Sequence, residues 1–329
     1  MLPPAPEQLA DEAGAPRTGL FQGPVGDARF STLRGEWAPG FLQRRLVEKK
    51  WAYALVTTHE VMAAFAIVDA GYLASGFCAI FDRGSRRLLV DENPVLPPIC
   101  AAIDEAPGEG MSARLIGPGI DARIRRAEGK ISLKASWGPA QADLVLDASL
   151  APPPVTAVAG LGAPGRFDLT QKTVLLPAEG EIRAGNVRFP VSGQLAGVDF
   201  THGFFARETA WRWAFGMGRQ GSRLVAFNFS EGFLRGEGEN AAWIDGEPRA
   251  VGPVRFEFTG AEPLASWRIR SEDGAVELTF QPEGYRAQTV DLMLIMSKYV
   301  QPFGTFSGRL GGVEVTSLPG VTEDHAARW

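Results

Sequence analysis

From Trp51 onward, apolar and polar residues alternate with a period of two over most of the chain, as in strands that turn one face to a core. Trp51, Tyr53, Leu55 and Thr57 share one face; Met62, Ala64, Ala66 and Val68 follow, with Phe65 and Ile67 opposite. A hairpin is predicted over 74–81 and 86–91, turning at Asp82-Arg83-Gly84-Ser85. Ile131, Leu133 and Ala135 alternate with Ser132, Lys134 and Ser136, and Ala142, Leu144 and Leu146 with Asp143, Val145 and Asp147, so this antiparallel pair is expected to have one apolar and one polar face. Short strands are expected again over 181–188, 207–215, 222–230, 241–245, 253–259, 265–271, 275–280, 289–297 and 305–316. No helical patterns of ten to fifteen residues separate the strands, which excludes a βαβ fold. The fold class is all-β: two antiparallel β-barrel-like halves packed together, with few short helices.

Three stretches stand outside the alternation. Residues 1–35, rich in Pro, Gly and Ala, are expected to wrap the surface as an irregular arm, and 38–50 carry Phe41, Leu42, Leu46 and Val47 at the spacing of one short helix. Residues 151–165 (APPPVTAVAGLGAPG) hold three consecutive prolines, which a central strand cannot accommodate. They are the expected connector between a first half at 36–150 and a second at 166–329.

Composition narrows the function. A hydrophobic content of 45% with 22% charged residues fits a soluble globular chain, and a net charge of −5 argues against a nucleic-acid partner. No run of eighteen apolar residues suggests a membrane span, and the N-terminus shows neither the basic nor the apolar region of a secretion signal, so a cytoplasmic location is expected. The two cysteines, Cys78 and Cys100, make no disulfide framework, and Cys78 reads as a small buried hydrophobe. The three histidines, 59, 202 and 325, are too far apart to suggest a metal site, and no cofactor motif survives inspection. Gly216-Met217-Gly218-Arg219-Gln220-Gly221 matches GxGxxG, but Ser222–Ser230 alternates as a strand, so a hairpin loop is expected there instead of a dinucleotide cradle.

The candidate chemistry gathers in 199–245. Asp199 and His202 in DFTHG could form a carboxylate–imidazole pair for proton transfer, or a turn with a half-buried histidine. Glu239 falls on the strand face of Trp243, where an aromatic wall would favour its protonated form; otherwise it is a solvated strand end. Trp211 and Trp213 share a face with Phe215 and Met217, as core or as the lining of an apolar cavity. Asn228, between Phe227 and Phe229, needs partners if buried, and Asn240 adjoins Glu239. Arg207 could orient a polar group. The ending, with Glu323, His325 and Trp329, suggests a docked tail that brings His325 toward this window.

Four stretches resemble the DUF2804 family of bacterial and fungal proteins: Lys50-Trp51-Ala52-Tyr53, DFTHG…WRWA (199–214), AFNFSEGF…GENAAWIDG (226–246) and SKYVQPFGTFSG…LPGVTEDHAARW (297–329). More remotely, the two-part all-β layout is similar to the lipocalin-like group of carotenoid 1,2-hydratases, tocopherol cyclases and AttH-like proteins. That resemblance implies two lipocalin-like barrels and a pocket for a large apolar molecule, isoprenoid, lipid or polyketide-like. The expectation is a cofactor-free hydratase, cyclase or isomerase. His202, Asp199 and Glu239 would be its catalytic groups, and Arg207, Trp211, Trp213, Asn228, Asn240, Trp243 and His325 would contact the ligand. The alternatives are a non-catalytic binder of a hydrophobic ligand, and a scaffold with no cavity.

Overall fold

A computed structural model of the chain describes residues 2–234, 238–291, 293 and 295–329. Two antiparallel sheets make up the molecule. The first runs in the order Arg87–Glu92, Ala74–Asp82, Val61–Asp69, Glu48–Thr57, Val187–Phe204, Phe167–Ala184, Ala140–Asp147, Lys130–Trp137, Ile120–Ala127, Ser112–Gly117 and Ala101–Ile103. The second runs Glu247–Ala250, Ala241–Ile244, Arg223–Glu231, Glu208–Gln220, Val313–Arg328, Met296–Leu310, Val276–Asp291, Trp267–Ser271 and Val254–Glu257. Each sheet curls until its far strands share a core. Ala101 and Ile103 pack with Ala63 and Phe65 in the first, and Val254 and Phe256 with Phe227 and Phe229 in the second. This is the lipocalin-like, two-barrel, all-β fold.

Strands where the sheets meet are buried on both faces. Along Glu48–Thr57, Ala52, Ala54 and Val56 enter the first barrel's core, while Tyr53 and Leu55 enter a separate apolar layer between the sheets. That layer also takes Trp213, Phe215 and Met217, each worth about 1.5–3 kcal/mol when buried. Both faces of the tryptophan strand therefore look inward, since Ala214 joins the second core. Gly197 sits where the sheets come closest; a Cβ there would stand 2.5 Å from the Phe215 ring and from the Met217 methyl. The outer strands differ: over 112–117, 120–127, 130–137 and 140–147 one face is buried and the other solvated.

The sheets divide the chain at 205–207, not at 151–165. After the prolines, Val155–Gly160 forms a strand of the first sheet, and the long hairpin Phe167–Ala184/Val187–Phe204 closes that same sheet against Glu48–Thr57. The N-terminal segment is no surface arm: Leu9, Val25, Phe30 and Leu33 are buried in the first core, and Gly19–Gln22 pairs with Val155–Gly160. The segments 181–188 and 305–316 each contain a turn joining strands of 15 to 18 residues, longer than expected. Bulges between Thr173 and Leu176 and between Ala178 and Gly180 let such strands bend. In the GxGxxG run only Gly221 is in the turn; Gly216 and Gly218 lie within the strand. The short helix forms over Phe41–Val47, but Phe41, Leu42 and Leu46 point outward, for which the packing offers no reason. Among the described residues no helix is long and apolar enough to cross a membrane.

Candidate active site between the sheets

Strand alternation builds the site. Asp168, Thr170 and Lys172 lie on the interlayer face of Phe167–Ala184, with Phe167 and Leu169 turned into the first core. The neighbouring strand sets Thr201 beside Thr170 and Asp199 beside Lys172, and the next sets Trp51 beside Thr201 and Tyr53 beside Asp199. From the second sheet, Trp211 pairs with His325 and Trp213 with Glu323, and Tyr299 lies beside His325. Together these residues line a cavity of about 200 Å³, which Tyr72, Phe77, Phe233 and Trp329 help to enclose.

Lys172 is the hub of the first wall. Its Nζ stands 2.6 Å from Asp199 Oδ1 and 2.9 Å from Glu239 Oε2, and all three side chains are buried. Burial alone would lower the ammonium's pKa, but the two carboxylates prevail and hold it at about 12. Asp199 also accepts from Thr170 Oγ1 at 3.2 Å and from Trp51 Nε1 at 3.4 Å. Burial, partly offset by Lys172, raises its pKa above the ordinary carboxylate value. Among the described residues Asp168 has no side-chain hydrogen-bond partner, and burial together with the negative charge of Glu239 pushes its pKa well above the ordinary carboxylate value, which favours its protonated form. Gly203 is required opposite it: a Cβ there would meet Phe167 O at 2.6 Å, Phe205 at 2.7 Å and Asp168 Oδ1 at 2.8 Å.

The second wall is a hydrogen-bonded chain. Glu323 accepts from Trp211 Nε1 at 2.9 Å and from Gln301 Nε2 at 2.8 Å, and its Oε1 is 3.6 Å from His325 Nδ1. His325 Nε2 is 2.9 Å from Ser297 Oγ. The Trp51 and Trp211 rings, one from each sheet, stack with centroids 6.1 Å apart.

Of the residues singled out from sequence, Asp199, Glu239, Trp211, Trp213 and His325 meet at this cavity. His202 does not. Three positions from Asp199 along a strand, it points to the opposite face. There it is fully buried, stacked on Phe30, with Nδ1 3.0 Å from Glu105 O and Nε2 2.8 Å from Glu48 Oε1. Both nitrogens are occupied, and the Asp199–His202 pair does not exist. Trp243 is also off the cavity: it is core, and its Nε1 donates to Pro153 O at 3.0 Å. Glu239 consequently faces Lys172, not a Trp243 wall. Asn228 lies behind the lining, accepting from Trp213 Nε1 at 2.7 Å and donating to Glu239 O at 3.0 Å. Asn240 accepts from the Ser230 backbone N–H at 2.7 Å. Arg207 is exposed and donates to the carbonyl of Trp329, so it fastens the docked tail. Sequence reasoning missed Asp168 and Lys172, and took Glu323 only as part of the docked ending. The alternation in FDLTQKTV was the available signal for the first two.

Two solved structures share the architecture. A kievitone hydratase from Nectria haematococca aligns with 100% of this chain and 98% of its own at 11% identity and a TM-score of 0.50. A protein of Nitrosomonas europaea, provisionally assigned as an AttH, aligns over 84% of this chain and 92% of its own at 14% identity and a TM-score of 0.51. At such identities the likeness establishes the fold. No curated protein matches the chain in sequence. The sequence profile of DUF2804, a domain of unknown function, matches residues 4–329, and the chain belongs to that family.

Proposed function

We propose that the cavity is the active site of a cofactor-free enzyme that hydrates, cyclises or isomerises an apolar small molecule by proton transfer. The observation that carries this reading is Asp168, a buried carboxyl without a side-chain partner among the described residues, four residues from a lysine that two carboxylates clasp, inside a largely apolar cavity. Asp168 would give its proton to an alkene carbon or carbonyl oxygen of the bound molecule. The ring faces of Trp51 and Trp213 would stabilise the positive charge that develops. Asp199, a stronger base than an ordinary carboxylate, would collect the proton released when water adds or a neighbouring carbon is deprotonated. Lys172 keeps the two carboxylates together and aimed. Hydration is the activity of one protein that shares this fold, which supports the reading.

One observation favours a non-catalytic carrier: the Lys172 ammonium is already matched by Asp199 and Glu239, as in a purely structural network. Native mass spectrometry of protein from its own host identifies what the cavity retains. The extracted molecule is then incubated in D2O with wild type and with Asp168→Asn. Deuterium uptake, a mass gain of one water or a same-mass product with wild type alone supports the enzyme. Return of the molecule unchanged by both makes the protein a carrier, and an empty cavity overturns both readings.

A further inference from the structure

The cavity's hydrogen-bonding groups satisfy one another with a definite remainder. The indole N–H groups of Trp51, Trp211 and Trp213 go to Asp199, Glu323 and Asn228. The Tyr299 hydroxyl donates to Asn93 at 2.7 Å, Ser297 and His325 share a hydrogen bond, and Lys172 faces its two carboxylates. Thr170 and Thr201 are used within the first wall. Among the described residues, three of the lining side chains keep buried oxygens that no other side chain meets: Tyr53, Tyr72 and Asp168. Burial favours the protonated forms of both phenols and of the carboxyl, which makes them O–H donors. A buried donor left alone costs as much as a lost hydrogen bond, so a ligand that supplies the acceptor gains what the empty site forgoes. Charge sets a second condition. Asp199, Glu239 and Glu323 outnumber Lys172 around the cavity, so an entering anion would meet carboxylates in a medium of low dielectric.

We infer that the cavity takes a neutral, largely apolar molecule bearing a carbonyl oxygen, which docks on the hydroxyl of Tyr53. This rests on reading the cavity as the ligand site proposed above. Tyr53 is well built for the task. Its ring is held edge-on by Trp213 at 5.3 Å and by Phe77 at 6.0 Å, and it lies in register with Asp199, so the docked carbonyl stands next to the proton-transfer groups. Tyr72 is the outer donor. It adjoins Lys49, whose Nζ is 4.7 Å from its ring centre, and Lys49 is four residues back along the strand from Tyr53, roughly 13 Å away.

The test compares three bicyclic probes of similar size, 1-tetralone, tetralin and 1-naphthoate, in tryptophan fluorescence titrations of the full chain. Wild type should bind 1-tetralone about five- to tenfold more tightly than tetralin and reject 1-naphthoate. Tyr53→Phe should erase the ketone's advantage and leave tetralin unchanged. Since the hydroxyl has no partner to lose, the thermal midpoint should also hold, which separates lost binding from lost folding. Equal affinity for ketone and hydrocarbon in wild type, or an unchanged advantage in Tyr53→Phe, overturns the inference while the apolar cavity stands. Loss of the advantage in Tyr72→Phe but not in Tyr53→Phe overturns the assignment to Tyr53. Tightest binding of 1-naphthoate overturns the charge argument. Failure of all three probes to bind overturns the ligand-site reading itself.

Discussion

Two buried cations sit where the sheets meet, and they differ in kind. Lys172 comes from the first sheet and is matched by the carboxylates Asp199 and Glu239. Arg286 comes from the second and is held mainly by aromatic faces. Its guanidinium carbon lies 3.7 Å from the Phe77 ring centre and 4.8 Å from that of Tyr299, while Nε reaches Asp91 at 2.9 Å and Nη2 bonds Asn93. An arginine cannot release its proton, and its planar fork suits a sandwich and a bidentate partner. A lysine is a compact charge whose proton affinity follows its neighbours. Arg286 is thus a clamp: Phe77, Asp91 and Asn93 belong to the first sheet's side of the seam, Tyr299 to the second. Lys172 instead offsets the negative charge of the two carboxylates it faces. The same seam uses one cation for cohesion and, on the reading proposed above, the other for chemistry.

Removing Lys172 should be the most damaging single change. Lys172→Met leaves two carboxylates buried without a counter-charge, a loss of about 3–5 kcal/mol in chemical denaturation. Adding Asp199→Asn and Glu239→Gln to that variant should recover most of the loss, because the three side chains form one coupled network. A loss below about 1 kcal/mol for Lys172→Met, or no recovery in the triple variant, would break the comparison on the lysine side. Arg286→Met should cost less, about 2–3 kcal/mol, since Asp91 is partly exposed and water can take over its bond. Arg286→Lys keeps the charge but loses fork and sandwich, so it should recover little; full recovery would show that charge alone matters there.

Asp168 gives the next effect, through pH. Its folded-state pKa lies well above its unfolded value, so the folded chain binds more protons between the two. The contribution of Asp168 to stability is present below the unfolded pKa, near 3.8, and is lost as pH rises toward the folded pKa. Asp168→Asn removes this dependence. The advantage of the variant in denaturation midpoint should therefore widen from pH 5 to pH 8, by at most about 1.4 kcal/mol per pH unit. A constant difference would mean that Asp168 titrates normally and is no stored proton for the site.

How much of this was legible in the sequence follows from the reach of each signal. The all-β class rests on alternation between near neighbours, and the outer hairpins over 112–147 show it without interference. The division into sheets depends on Val187–Phe204 pairing with Glu48–Thr57, across more than a hundred residues, which three prolines in between could not reveal. Asp199, Glu239, Trp211, Trp213 and His325 stood out because polar groups beside tryptophan are unusual. His202 failed for a reason the sequence contained: DFTHG in a strand separates Asp199 and His202 onto opposite faces. Asp168, Thr170 and Lys172 look like the solvated face of an ordinary strand. Only the second sheet packed over that face turns them into a buried site, and docking of that kind leaves no local mark.

Lys49 is a third buried cation and tests the comparison most finely. It shares a strand face with Trp51 and Tyr53, but among the described residues no carboxylate bonds its ammonium. Its Nζ donates to the carbonyls of Leu46 at 2.7 Å, Ala70 at 2.9 Å and Glu48 at 3.2 Å, and lies over the rings of Tyr72 and Trp329. Burial lowers its pKa to about 7, with Asp69 and Glu48 only partly opposing. Between that value and its unfolded pKa of 10.5 the unfolded chain binds more protons, so stability should rise with pH across the window. Lys49→Met lacks this term. Wild type should gain on the variant by roughly 1–2 kcal/mol from pH 7 to pH 8.5, measured by urea denaturation at each pH. If the difference stays flat, the three carbonyls hold the ammonium charged as firmly as the carboxylates hold Lys172. A counter-charge would then not be what separates the chemical cation from the structural one.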